Sequence, residues 1–389
     1  MHIAIDASPW DNERGFGRFT RSLVGALVAR EAGFRYTLLC DRPPERPVPA
    51  GVSVAVAGAA KSMAEASSGT AARGGGDLFA MSRAAGRLGA DLFFFPASYS
   101  YYPLLARIPV LTCFHDTIPE RFPDLVFPTR RNYRLWQIKS WLARRQSRRV
   151  MTVSEASARD LAAMLRVPRD RIDVITEGAD AVFRPIADRA VLAECRARHG
   201  IAADDRVLVY VGGFNRHKNV LRLIEAMPAI LAARPEARLV IVGRVTGARF
   251  WDNVDELRAG ASRDARASAR ITFTGEIPDD EMARLLNIAD ALVFPSLLEG
   301  FGLPALEAMS CGTPVLASDR GSLPEVVGEA GLFFDPEDGA ALAAAAIRLL
   351  GDDALRAELA DKARARAALF TWERAAELAE ASFRRCLGR

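Results

Sequence analysis

Short apolar runs, each closed by a glycine or a polar residue, alternate along this chain with longer segments whose apolar positions recur every three to four residues. The short runs read as strands buried on both faces, the longer ones as helices packed on a sheet. In the first half, strands are predicted at His2–Ile5, Tyr36–Cys40, Val52–Val56, Asp91–Phe95, Pro109–Cys113, Val150–Val153 and Ile172–Ile175. In the second half they fall at Val207–Val211, Leu239–Val242, Ile271–Thr274, Ala291–Phe294, Val315–Ala317 and Leu332–Phe334. Helices are expected at Phe19–Ala29, Arg130–Arg149, from a Ser154 cap to Leu165, and at Leu221–Ala232, Asp279–Ile288 and Pro304–Met309. Three more close the chain: Asp338–Leu350, Asp352–Ala368 and an amphipathic Trp372–Leu387.

Strand and helix alternate twice over, which predicts an α/β protein of two doubly wound domains facing across a cleft. The charged, proline-containing run Phe183–Asp205 separates them: domain one over 1–183, a linker over 184–203 with a short helix at Ala190–His199, and domain two over 204–370. The Ala-, Ser- and Gly-rich stretch Lys61–Gly76 reads as a mobile surface excursion.

Composition narrows the class. At 389 residues the chain is long enough for two cores, and half of its residues are hydrophobic, which argues against disorder. Its 52 basic and 48 acidic residues nearly balance, so charge gives no case for a nucleic-acid partner. Five scattered cysteines form no zinc knuckle or redox pair and suit a reduced, cytoplasmic setting. The opening Met1–Asp6 starts a strand and not a signal peptide, and no segment has eighteen consecutive apolar residues, so any membrane contact is expected to be peripheral. Between Arg130 and Arg149, eight cations interleave with Leu135, Trp136, Ile138, Trp141 and Leu142. This segment supports two readings: a core-packed helix with a solvated charged face, or, with Tyr101 and Tyr102, an interfacial patch against anionic lipid.

The chemistry concentrates in Phe294-Pro295-Ser296-Leu297-Leu298-Glu299-Gly300-Phe301-Gly302-Leu303-Pro304-Ala305-Leu306-Glu307. It leaves a strand, crosses a glycine turn and enters a helix with Pro304 in its first turn. Leu303 and Ala305 are expected to offer unpaired amides in the positive field of the helix end, suited to anionic oxygens, while Glu299 and Glu307 suit hydroxyls. Gly212-Gly213 and then Arg216-His217-Lys218 follow the Val207–Val211 strand; Lys218 is the preferred diphosphate ligand, supported by Arg216 and turn amides. His217, between two cations, is a poor general base. His115-Asp116 follows another strand, and its residues leave a catalytic and a structural role equally open for His115. Gly15-Phe16-Gly17-Arg18 reads as a polar loop ahead of a helix, weak as a ligand signal alone. Ser322, after Gly321, suits either closure around a ligand or a helix cap, and the cap is the preferred reading. No Asp-x-Asp, no compact His, Cys and Asp cluster and no Gly-x-Ser-x-Gly elbow occurs, so neither a tightly held metal nor an α/β-hydrolase is expected.

These motifs together resemble the retaining glycosyltransferases of family four, of GT-B fold with two Rossmann-like domains, over nearly the whole chain. The paired glutamates with seven residues between them correspond to Glu299 and Glu307. The resemblance implies that Glu299 contacts donor-sugar hydroxyls, that Glu307 contacts the nucleotide ribose, and that amides near Phe301, Gly302 and Leu303 hold the sugar and diphosphate. Lys218 carries over as the diphosphate cation, although His217 and Gly213 stand where arginines are usual in the family. Gly15 and Gly17 correspond to a loop facing diphosphate and acceptor, and His115 to a contact with the transferred sugar. Arg244 and the Gly275-Glu276-Ile277 turn are candidates for the base pocket. Phe370-Thr371-Trp372-Glu373 resembles the start of a closing helix that returns to the first domain, completing it with residues 371–389.

The resemblance implies a hexose transfer with retention, from a nucleotide sugar, GDP-mannose first, to a glycan or polyprenyl-diphosphate-linked acceptor in bacterial surface polysaccharide synthesis. No tightly bound cofactor or essential metal is expected, and the setting is cytoplasmic, with contact at the inner face of the membrane under the second of the two readings of the basic helix. Transferases using UDP-glucose, UDP-N-acetylglucosamine or deoxysugar donors share the same motifs. A nucleotide-sugar hydrolase, an epimerase and a non-catalytic sugar-nucleotide binding module stay open as alternatives.

Overall fold

The computed structural model describes residues 1–12, 15–58, 74–243 and 253–388. Two compact units result: unit 1 comprises Met1–Gly178 with Thr371–Arg389, and unit 2 comprises Ala179–Phe370. The expected linker belongs to unit 2, where Arg189–Arg198 forms a helix capped by Asp188.

In unit 1, the strands β1 (His2–Asp6), β2 (Arg35–Cys40), β3 (Ser53–Val56), β4 (Leu92–Phe95), β5 (Val110–Cys113), β6 (Ser147–Thr152) and β7 (Ile172–Val174) form one sheet in the order β3-β2-β1-β4-β5-β6-β7. In unit 2, β8 (Arg206–Val211), β9 (Ala237–Val242), β10 (Ile271–Gly275), β11 (Ala291–Phe294), β12 (Val315–Ser318) and β13 (Gly331–Phe334) follow the order β10-β9-β8-β11-β12-β13. Every pairing is parallel. Strands β4 and β11 are buried at every residue, which explains why they appear in the sequence as unbroken apolar runs, and β5 and β12 are equally buried with one hydroxyl residue each, Thr112 and Ser318. Each sheet reverses its strand order once, between β1 and β4 and between β8 and β11. Loops leaving those strands at their carboxyl ends diverge and open the crevice at which open α/β sheets bind ligands.

Several elements differ from expectation. Gly15–Arg18 is not a loop: the helix starts at Gly15 and runs to Ala29. A Cβ at Gly17 would lie 2.0 Å from the carbonyl oxygen of Asn12, so this glycine lets the first helical turn rest on the preceding backbone. The basic helix ends at Gln146, and Ser147–Arg149 begin β6. There Arg149 is drawn into the sheet by Asp173, to whose two oxygens it donates at 2.7 and 2.8 Å. A helix at Gly75–Arg87, which buries Met81, Ser82 and Ala85, is absent from the sequence expectation, and most of the Lys61–Gly76 excursion lies outside the described residues.

The helix Trp372–Leu387 packs on unit 1 through both apolar and polar contacts. Phe383 meets Phe34 and Phe94 edge-on, and Trp372 meets Phe19. Ser382 donates to Asp173 at 2.6 Å, Arg385 pairs with the same carboxylate at 2.9 Å, and Arg30 pairs with Glu377 and Glu380 at 3.1 Å. Gly178 is where unit 1 meets the start of this helix: a Cβ there would lie 2.4 Å from the Trp372 nitrogen. Gly178→Ala is therefore expected to lower the unfolding free energy by about 1–3 kcal/mol. Gly25→Ala, a helical position with nothing within 4 Å, should leave stability unchanged or raised. Denaturant titration of the two variants checks both.

Candidate functional site

The carboxyl edge of unit 2 is built by two loops, one from β8 and one from β11, which flank the reversal of strand order. After β8 the chain passes Gly212 and Gly213 and makes a single turn at Arg216–Lys218. Asn219 then sits in the left-handed region at φ 57° and opens the helix Val220–Ala233. Asparagine tolerates that conformation, and here its side chain is also used: Nδ2 donates to the carbonyls of Pro295 at 3.1 Å and Pro336 at 2.8 Å. The Leu297 amide donates to the His217 carbonyl at 2.8 Å. Three segments distant in sequence are thus pinned at one point.

Across this seam Lys218 reaches Glu299, its Nζ donating to both carboxylate oxygens at 2.7 and 2.9 Å. Glu299 is buried and Lys218 partly so, and the ammonium lies 5.6 Å from the centre of the Phe294 ring. The loop carrying Glu299 is held from behind by Ser322, whose hydroxyl donates to the carbonyls of Glu299 at 3.1 Å and Phe301 at 2.8 Å. Ser322 precedes a helix but makes no side-chain cap, so the capping expectation gives way to this support of the loop. Gly321, at φ 62°, brings its backbone so close that a Cβ would lie 2.8 Å from the Glu299 carbonyl oxygen.

Gly302, at φ 100°, turns the chain into the helix Leu303–Ser310. Pro304 has no N–H to offer, and Ala305, expected to present a free amide, donates to the Gly302 carbonyl at 2.9 Å. Any anion at this helix end therefore depends on the amides around Phe301, Gly302 and Leu303. Phe301 is buried against the edge of Phe370. Glu307 is buried within the helix, with Cys311 one turn beyond; burial, and then the Glu307 charge, push the Cys311 thiol up to about 12.

The two basic residues beside Lys218 differ from it. Arg216 is exposed and pairs with Glu256 at 3.2 Å. His217 is neutral near pH 7, because burial, and then the Lys218 charge, lower its pKa to about 4. Gly213 accepts from the buried Tyr210 hydroxyl at 2.6 Å, a contact that shapes the turn. Arg244 lies outside the described residues.

In unit 1, His115 and Asp116 follow β5 and face different partners. The His115 Nε2 lies 2.8 Å from the Pro96 carbonyl, Nδ1 lies 3.6 Å from Glu177, and the Phe19 ring packs edge-on at 4.6 Å. Burial opposes a charge on this ring, but Cys113 and Glu177 outweigh it and hold its pKa well above the ordinary histidine value. The His115 ring thus lies between a backbone carbonyl and a carboxylate, a setting that suits a structural role and a substrate contact alike. Asp116 accepts from the Ile118 amide at 2.9 Å and from the Tyr99 hydroxyl at 3.3 Å. Gly15 and Gly17 lie in the first turn of the helix that follows β1.

A cluster of metal-ligand type, Cys195, His199 and Glu281, brings ligand atoms within 4.8 Å of one another in unit 2. Arg198 donates to one Glu281 oxygen, Arg284 reaches the same oxygen at 3.3 Å, and His199 lies 3.0 Å from the other. Two guanidinium groups already neutralise the carboxylate, and burial raises the Cys195 thiol to about 12, so the cluster reads as an ion-pair clasp between the Arg189–Arg198 and Asp279–Ile288 helices.

Asn219 and Gly321 are site residues to which the sequence reading gave no role, and Ser322 is one to which it gave a different role. The signal for the first was a polar residue at the junction of a basic turn and a helix. The other two lie in a loop whose nearness to Glu299 emerges in three dimensions alone.

Comparison with known proteins gives a consistent picture. The family description "Glycosyl transferases group 1" matches residues 193–366, and "Glycosyltransferase Family 4" matches residues 14–183. O-antigen chain mannosyltransferase B of Escherichia coli is 34% identical over 224 residues, 58% of this chain and 57% of that protein. D-inositol 3-phosphate glycosyltransferase of Acidothermus cellulolyticus is 36% identical over 236 residues, 59% of this chain and 51% of that protein. The chain thus spans little more than half the length of these relatives. Among solved structures, the sucrose-phosphate synthase of Thermosynechococcus elongatus superposes with a TM-score of 0.78 at 23% identity, covering 100% of this chain and 99% of that one. WaaG, a glycosyltransferase of lipopolysaccharide biosynthesis, gives 0.72 at 17% identity and covers 98% of both chains.

His217 supplies a direct test of the site's electrostatics. Its ring proton signals in NMR should titrate with a midpoint near 4 and move upward in Lys218→Met, which removes the neighbouring charge. Because the folded value lies below the unfolded one, His217 contributes stability fully above about pH 6.5 and loses it as pH falls toward 4.

Proposed function

The chain belongs to glycosyltransferase family 4, with the GT-B fold, and on that premise we propose that it transfers a hexose from a nucleotide sugar to a hydroxyl of a glycan or lipid-linked oligosaccharide. The observation that carries this reading is the Lys218–Glu299 pair at the reversal point of the unit 2 sheet, beside the opening of the Leu303–Ser310 helix. A cation and a carboxylate held within one hydrogen bond of each other match the two ends of a sugar diphosphate: phosphate oxygens for Lys218, sugar hydroxyls for Glu299. Amides near Phe301, Gly302 and Leu303 would take further phosphate oxygens, and the buried Glu307 would meet the ribose. GDP-mannose is the first donor to test, on the strength of mannosyltransferase relatives that include WbdA of Escherichia coli.

During transfer the bond from the anomeric carbon to the diphosphate oxygen breaks, and the acceptor hydroxyl oxygen bonds to that carbon. The nucleoside diphosphate leaves with the bonding electron pair and takes up the hydroxyl proton. Charge grows on the departing phosphate, and we assign its stabilisation to Lys218; the exposure of Arg216 and its pairing with Glu256 support a secondary role for that residue. We assign retention of configuration by attack on the face from which the phosphate departs. A double displacement would need Glu299 as nucleophile, and a carboxylate with both oxygens on Lys218 is a poor one. The carboxyl edge of unit 1, around Gly15, Gly17 and His115, is assigned to the acceptor, with His115 as a positioning residue. No metal enters this scheme.

A second reading, a phosphorylated polyol as acceptor, is favoured by the inositol phosphate glycosyltransferase relatives. Nucleotide sugars screened against polyprenyl-diphosphate-linked glycans and inositol phosphate, with nucleotide release and product mass read together, separate the two. Lys218→Ala is expected to lower turnover roughly 100- to 1000-fold while circular dichroism stays that of a folded α/β protein. Near-normal turnover in that variant, or a glycosyl group trapped on Glu299 in the wild-type protein, would overturn the scheme.

A further inference from the structure

The helix Arg130–Gln146 has two faces of different character. Its inner side is buried at Ser140 and Ala143, and Trp136 is held by Tyr99, by Phe127 and by a 2.8 Å hydrogen bond to Glu120. On the opposite side, Leu135, Ile138 and Trp141 stand 58%, 57% and 55% exposed, among the most exposed large apolar side chains of the described residues. At 100° per residue these three project within one arc, and Arg131, Arg134 and Arg145 fall in the same arc, all exposed. No acidic residue occurs from Arg130 to Arg149. At the far end of the helix Gln146 exchanges hydrogen bonds with the Leu104 backbone, and the next residue, Leu105, is 71% exposed. Tyr101 and Tyr102, the aromatics expected to contribute, are buried.

We propose that this face is a docking surface for an anionic lipid bilayer, with Leu135, Ile138 and Trp141 entering the interface and Arg131, Arg134 and Arg145 meeting lipid phosphates. The inference rests on the surface of unit 1 alone and holds whatever sugar the enzyme transfers. Charge and apolarity together select the occupant. A second copy joined through the same patch would set arginine against arginine across a two-fold axis. Nucleic acid would meet the arginines but leave Leu135 and Ile138 facing phosphate and water. A bilayer offers both halves at once, hydrocarbon below and negative charge at the surface, and suits a basic amphipathic helix lying in the interfacial plane. No helix among the described residues is long and apolar enough to cross a membrane, so this contact would be superficial.

The test is co-sedimentation of the full chain with vesicles of equal parts phosphatidylglycerol and phosphatidylcholine, and with phosphatidylcholine alone. Binding is expected to the anionic vesicles at low salt and to fall steeply toward 1 M salt, where the Debye length is roughly 3 Å. Each of R131Q, R134Q and R145Q should weaken binding roughly fivefold. The triple variant L135Q/I138Q/W141Q should lose binding, and its exposed positions leave folding undisturbed. Brominated acyl chains should quench Trp fluorescence in the wild-type protein and much less in W141F. Failure to bind anionic vesicles at low salt, equal binding by the triple variant, or a concentration-dependent dimer abolished by I138Q would each overturn the proposal.

Discussion

A partly buried ion pair sets the constraints on unit 2. Lys218 and Glu299 lie 81 positions apart in sequence and belong to loops that diverge from adjacent strands, yet their charged atoms are 2.7 Å apart. Withdrawing two charges from water is costly unless the geometry is good, and removing one partner leaves the other uncompensated. The surroundings supply that geometry. Asn219, Ser322, Gly321 and the Leu297–His217 backbone bond all fix the loops that carry the pair, and none of them carries charge of its own. The neutrality of His217 belongs to the same economy, since a third charge at that spot would pull against Lys218.

The strands were legible because burial on both faces leaves a simple mark, a short apolar run. Lys218, Glu299 and Glu307 were legible because each lies just beyond such a run, where open parallel sheets place polar groups. The start of the Gly15–Ala29 helix was not, because glycine signals a loop on propensity and a close approach on packing. Packing won there: the carbonyl oxygen of Asn12 occupies the space a side chain would need. The boundary between the Arg130–Gln146 helix and β6 was hidden for a different reason. Arg148 and Arg149 continue a basic helical pattern, and Asp173, a residue on the neighbouring strand, decides that Arg149 joins the sheet.

Candidate catalytic groups were harder to rank than to find. Adjacent residues such as His115 and Asp116 seldom face each other, and the two side chains do enter separate networks, His115 lying against Pro96, Glu177 and Phe19 and Asp116 against Ile118 and Tyr99. Ser322 illustrates the converse. It sits where a cap is expected and instead bonds two carbonyls of the glutamate loop, a role that depends on proximity across 21 to 23 positions.

The path of the chain through the two units bears on how it is made. Unit 1 begins at Met1 but contains Thr371–Arg389, so all of unit 2 emerges from the ribosome before the helix carrying Phe383 and Ser382. Until then Phe34, Phe94 and Asp173 lack their partners on that helix, and the sheet of unit 1 waits with an uncovered apolar flank. Unit 2, continuous in sequence, can fold during synthesis, whereas unit 1 reaches its final form only after translation of its last segment. Completing unit 1 is therefore a long-range event in sequence, since the whole of unit 2 is the loop that must close before that helix can dock.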